Sequence, residues 1–240
     1  MGLLDLPSPG FSILNGWLGG FLPTVLLVVV WAAVGAFISM ELYRLLSPQA
    51  RIARLRRRLV AAQADLNEFD GPFGEALRRI RTMLSLALRR VLLVLPATMI
   101  ASLPVLMLLV WADTQYGRAF PAPGEAVEVS VTDGYRGEWR DSTNAAAPGA
   151  EVTDRDGARI ADVAVPQPVP VIHKWRWWNT LIGNPAGYLP DEAPFERIDI
   201  ALPRQELIPF GPSWLRGWEP LFFVSIFVFA FALKALRGIE

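Results

Sequence analysis

Hydrophobic positions along the chain follow three rhythms, and each predicts a different element. Three stretches are almost continuously apolar: 21–43, 91–112 and 218–236. Each is close to the ~20 residues a helix needs to cross ~30 Å of hydrocarbon. The first has no charge before Glu41 and the second has none. In the third, only Ser225 interrupts the apolar run from Leu221 to Leu233. These stretches are read as three transmembrane helices.

Between the first two, the rhythm becomes heptad-like. Apolar residues fall at Ile52, Leu55, Leu59, Ala62, Leu66 and Phe69, and again at Phe73, Leu77, Ile80, Leu84, Ala87 and Val91. Alternating steps of three and four mark a coiled-coil seam, and Asp70-Gly71-Pro72 breaks the helix between the two series. Residues 44–90 are therefore predicted to form an antiparallel coiled-coil hairpin. Ser47 would cap its first arm, with Pro48 at the first helical position. Leu55, Leu59 and Leu66 would pack against Leu77, Ile80 and Leu84, which sets Leu55 near Leu84 or Leu88.

The third rhythm has period two and lies within 113–217. Residues 125–131 and 196–202 alternate between polar and apolar, as strands do. Residues 151–153 and 159–165 flank Asp156-Gly157, a hairpin turn signal. Asp133-Gly134 reads as a turn and 145–149 as a loop. Pro166, Pro168 and Pro170 cannot donate to a ladder, so that piece is expected to be extended or at a sheet edge. The region is predicted to be a small β-rich, sandwich-like domain.

Charge orients these pieces. Residues 44–90 hold 11 Arg against 4 acids, a net +7, while 113–217 hold 10 basic and 15 acidic residues, a net −5. Basic residues near membrane ends mark the cytoplasmic side. The hairpin and the tail 237–240 are therefore expected in the cytoplasm. The N-terminus and the β-rich domain are expected outside, in a multi-pass protein of the bacterial inner membrane. Asp5 is the only charge before the first span, so a cleaved signal peptide is not expected. Residues 1–20 carry Phe11, Ile13, Leu14, Trp17 and Leu18 and read as an outer interfacial segment, with a frayed terminus as the equal alternative.

Candidate chemistry is sparse. There is no cysteine and one histidine, His173, which excludes disulfides and thiolate metal sites. No HExxH, GxSxG or Walker motif occurs. No catalytic residue, cofactor or metal is expected, and no small-molecule substrate is evident. Three other groups stand out. Thr98 and Ser102 share a face of the second span, near its Pro96 and Pro104, and with Glu41 they are candidate lining for a groove. Their hydroxyls are alternatively expected to bond the carbonyls that the prolines leave free. Arg54, Arg57, Arg58, Arg78, Arg79 and Arg81 form a candidate basic surface that sets topology and touches anionic lipid headgroups, with an acidic partner or ribosomal RNA as the weaker alternative, because no aromatic residues interleave. Trp175, Trp177 and Trp178, beside Lys174 and Arg176, join Trp214 and Trp218 as a candidate interfacial anchor, with a glycan or lipid site as the alternative.

The order of span, basic hairpin, span, outer segment and span resembles the YidC-type membrane insertases, especially their three-span archaeal and endoplasmic-reticulum relatives. The matching parts are 21–112 and 218–236, with the hairpin running from Arg44-Leu45-Leu46-Ser47-Pro48 to Arg89-Arg90. The chain differs from bacterial insertases in having no Lys or Arg in 21–43 and a β-rich domain where they place a membrane hairpin. The resemblance implies a non-enzymatic insertion, chaperone or assembly factor with a client groove. The alternative is a structural or accessory subunit of an envelope complex that docks through hairpin and β domain. The expected partners are the lipid bilayer and a membrane-protein client or complex partner.

Overall fold

A computed structural model describes residues 2–132, 134–142 and 147–238. Asp133, Ala145, Ala146 and the end of the 237–240 tail, all named above, lie outside the described residues. The helices are α1 (Ser8–Gly19), α2 (Thr24–Leu46), α3 (Gln49–Asn67), α4 (Phe73–Tyr116) and α5 (Trp218–Arg237). Three of them, α2, α4 and α5, are long and apolar enough to cross a membrane. The chain divides into two compact units, Met1–Val29 with Leu106–Phe223, and Val30–Val105 with Val224–Glu240.

The second hairpin arm and the second apolar stretch are continuous in one helix, α4. It has 44 residues and carries Pro96 and Pro104 in its interior. Its prolines leave the carbonyls of Leu92 and Ile100 without their usual i+4 donors. Neighbouring hydroxyls bond other carbonyls instead: Thr98 Oγ1 donates to Val94 O at 3.1 Å, and Ser102 Oγ to Met99 O at 2.8 Å. A hydroxyl that sequence reasoning passed over, Ser39 on α2, donates across to Ala101 O.

The first arm keeps its expected face. Ile52 is buried and Leu55, Leu59, Ala62, Leu66 and Phe69 are half-buried. Its start is one residue later than predicted, because α3 begins at Gln49 with Pro48 as cap position. Ser47 Oγ accepts from the Gln49 side chain and does not cap the helix. The second arm departs from the prediction. Phe73, Leu77, Ile80, Leu84 and Leu88 are exposed, Leu84 by 62%, while Ala76, Arg79, Met83, Leu86 and Arg90 are half-buried. The expected seam is thus turned outward by about one residue. Arg79 explains part of this, since its guanidinium reaches back to Asp65 and lies 4.2 Å from the Phe69 ring centre. Those contacts turn the Arg79 face, rather than Ile80, toward α3.

In the first unit the strands are β1 (Glu128–Val131), β2 (Tyr135–Arg140), β3 (Gly149–Asp154), β4 (Arg159–Ala164), β5 (Val171–His173) and β6 (Arg197–Ile200). They form one curled antiparallel sheet in the order β4-β3-β2-β1-β6-β5, not a two-layer sandwich. The expected hairpin at Asp156-Gly157 is present. Asp154 Oδ1 accepts from the backbone N–H of Asp156 and of Ala158, each at 2.9 Å, and Gly157 takes φ +83°, which a Gly adopts without steric cost. The proline segment forms no strand, yet Pro170 contributes an acceptor, taking Ile200 N–H at 2.8 Å beside edge strand β5. Among the described residues no second ladder covers the core. Val165, Val169, Leu189 and Phe195, from loops, pack on Val129, Ala150, Val152, Ile172, Ile198 and Ile200 from strands. Proline-rich loops cannot pair as strands, but their apolar side chains still bury.

The N-terminal segment is docked and not frayed. Tyr116 Oη donates to Asn15 Oδ1 at 2.5 Å, with both residues buried, and Trp111 Nε1 donates to Ser12 Oγ at 3.0 Å. Phe11 meets the Trp111 ring edge-on at 5.5 Å. Asp5 Oδ2 accepts from Gly183 N at 2.6 Å, and Leu4 N–H donates to Leu181 O at 2.9 Å. Ile13, Leu14 and Trp17 remain exposed on the other side of α1.

Candidate functional site

The expected groove residues are not assembled as groove lining. Thr98 and Ser102 are exposed and bond the backbone of their own helix. Glu41 is held by Arg44 and by Arg237, each at 3.3 Å. All three lie outside the clefts described below.

The hairpin arms enclose two clefts instead of a sealed seam. One, of about 330 Å³, is lined by Ala62 and Asp65 from α3 and by Glu75, Arg78, Arg79 and Thr82 from α4. Its two acids match its two arginines. The other, of about 500 Å³, is lined by Arg51, Arg54, Leu55 and Arg58 from α3 and by Arg89 and Leu93 from α4. Of the six predicted surface arginines, Arg54 and Arg58 meet in the second cleft and Arg78 and Arg79 in the first, while Arg57 and Arg81 lie outside both. Arg51 and Arg89 were missed as members. The signal was in the spacing, because Arg51, Arg54 and Arg58 stand three and four apart and so share a helix face.

The tryptophan group divides. Trp175, Trp177, Trp178 and Trp214 are exposed, but Trp218 is 3% exposed and packs edge-on against Phe222 at 5.7 Å. Trp218 is therefore a core residue, not part of a surface belt. Its Nε1–H has no acceptor among the described residues. The cations beside the cluster are engaged as well: Lys174 Nζ and Arg176 Nη2 both reach Glu196, at 3.2 and 2.9 Å.

A cleft of about 680 Å³ in the same unit was not foreseen. Asp113, Arg118, His173, Arg204, Trp218 and Glu219 are among its lining residues. Arg118 donates to the Leu202 carbonyl at 2.8 Å, and Arg204 pairs with Glu219 at 3.3 Å. No group of three or more potential metal ligands occurs among the described residues. No family model, curated protein or solved structure matches this chain.

Proposed function

We propose that this protein is a multi-pass, non-enzymatic accessory or assembly subunit of the bacterial inner membrane. Three spans hold it, and it docks a second membrane-associated protein through its cytoplasmic hairpin. The observation that carries this reading is the exposed face of α4. Phe73, Leu77, Ile80, Leu84 and Leu88 stand at helical spacing on a helix that runs on into a span. Burial of a large apolar side chain is favourable by ~1.5–3 kcal/mol, so a row of five favours a covering partner. The hairpin carries 11 Arg against 4 acids, which selects a partner helix with acidic residues beside its apolar face.

The insertion-factor reading is supported by the order of spans and basic hairpin. In that reading a client polypeptide would pass along the Thr98 and Ser102 face. One experiment separates the two. Full-length protein carrying a photocrosslinking residue at position 84 or 98 is irradiated in intact cells. A discrete adduct at 84 that is lost in I80D and persists when translation is blocked supports docking. Translation-dependent, heterogeneous adducts at 98, with none at 84, would replace docking with insertion.

A further inference from the structure

The two clefts of the hairpin differ in charge balance. In the smaller, two carboxylates face two guanidiniums. In the larger, Arg51, Arg54, Arg58 and Arg89 converge with no acidic residue among the lining. None of the four has an ion-pair or hydrogen-bond partner among the described residues. All four are exposed, so water and salt screen their mutual repulsion, and their guanidinium donors remain open to an anion. The two apolar lining residues, Leu55 and Leu93, complete the picture: Leu93 belongs to the stretch read as the second span, and Arg51 closely follows the first. The cleft thus sits where both spans would leave the membrane.

We propose that this cleft is a binding site for the headgroup of an anionic phospholipid. The guanidiniums take its phosphate oxygens, and an acyl chain leaves along Leu55 and Leu93. A guanidinium presents paired donors that match two phosphate oxygens. Four of them on two helices suit a headgroup with two phosphates, such as cardiolipin, better than one with a single phosphate. Basic pockets at the cytoplasmic ends of spans bind such headgroups by this chemistry. The site rests on the reading of 91–112 as a span, but not on the docking of a partner protein, which uses the opposite, exposed face of α4.

The test uses full-length protein in nanodiscs of phosphatidylcholine with or without cardiolipin, with retained lipid counted by native mass spectrometry after detergent transfer. R58Q/R89Q takes one arginine from each wall of the cleft, while R57Q/R81Q removes the same charge outside it. Near a membrane surface each basic contact is worth about fivefold in binding, so the cleft variant loses roughly thirtyfold in cardiolipin retention and the control stays within a few-fold of wild type. Equal losses in both variants would mean diffuse attraction and would overturn the site, as would unchanged retention in R58Q/R89Q. Inorganic pyrophosphate serves as the competitor. If it displaces the lipid at matching concentration, the cleft reads free phosphate rather than a membrane lipid, and the proposal fails. Should R58Q/R89Q not fold, R58K/R89K keeps the charge but loses the paired donors. Retention then drops if phosphates are gripped by guanidiniums, and wild-type retention overturns that grip.

Discussion

Tyr116→Phe tests how the N-terminal helix is held. The substitution keeps the ring, which meets Trp111 edge-on at 5.8 Å, and removes only the hydroxyl that donates to Asn15 Oδ1 at 2.5 Å. Both partners are buried, Tyr116 at 3% and Asn15 at 9% exposure, so water does not replace the lost donor freely. Removal of one partner from such a bond costs ~1–2 kcal/mol. That corresponds to a roughly 5–30-fold rise in the fraction of molecules with α1 released. Amide hydrogen exchange over 8–19 in nanodiscs reads this opening directly. Exchange there is expected to accelerate by that factor in Tyr116→Phe, with the strand amides of β1 to β3 unchanged. Asn15→Ala should produce a similar acceleration, and the double variant little more than either alone, because the two side chains share one interaction. Additive effects of the two substitutions, or unchanged exchange over 8–19 in Tyr116→Phe, would refute the view that this bond docks α1.

Gly137→Ala is expected to destabilise the sheet by ~1–3 kcal/mol, because a Cβ there would lie 2.8 Å from the Val129 carbonyl oxygen on the paired strand. Chemical unfolding followed by protease resistance of 128–154 checks it. In the hairpin, cysteines at Leu55 and Leu93 should be joined by a short bifunctional maleimide, since both line one cleft, whereas Leu55 and Leu84 should not. The reverse outcome would restore the packed coiled-coil seam. The proposed topology is checked with single cysteines, since the natural chain has none. Glu192→Cys should label with an impermeant reagent in intact cells and Gly74→Cys should not. Replacing Trp175, Trp177 and Trp178 together by Ser should speed external proteolysis near 166–170 while leaving the sheet folded. Unchanged resistance together with loss of a specific glycan or lipid would make the cluster a ligand site.

Much of the local structure was legible in the sequence because it depends on local rules. The three helices long and apolar enough to cross a membrane follow from continuous apolar runs, the pattern of a backbone that would satisfy itself in hydrocarbon. The break at 70–72 follows from Gly and Pro, and the Asp156-Gly157 turn from a positive φ that Gly supplies. Strand β2 carries a period of two as well, with Tyr135, Gly137 and Trp139 alternating with Arg136, Glu138 and Arg140, but a Gly in its inward row weakens the signal.

Tertiary structure decided what depends on partners distant in the chain. A heptad seam states which residues are apolar, not which face meets a neighbour, and the Arg79 contacts to Asp65 and Phe69 helped turn α4 so that its seam faces outward. Trp218 looked like a surface anchor by composition and became core because Phe222, one helical turn on, packs beside it. Spacing alone placed Arg51, Arg54 and Arg58 on one face, but only the second arm of the hairpin could bring Arg89 opposite them. Asn15 and Tyr116, 101 residues apart, had no reason to be paired on paper. A buried polar atom finds its partner through the path of the whole chain, and that path is not written in any local pattern.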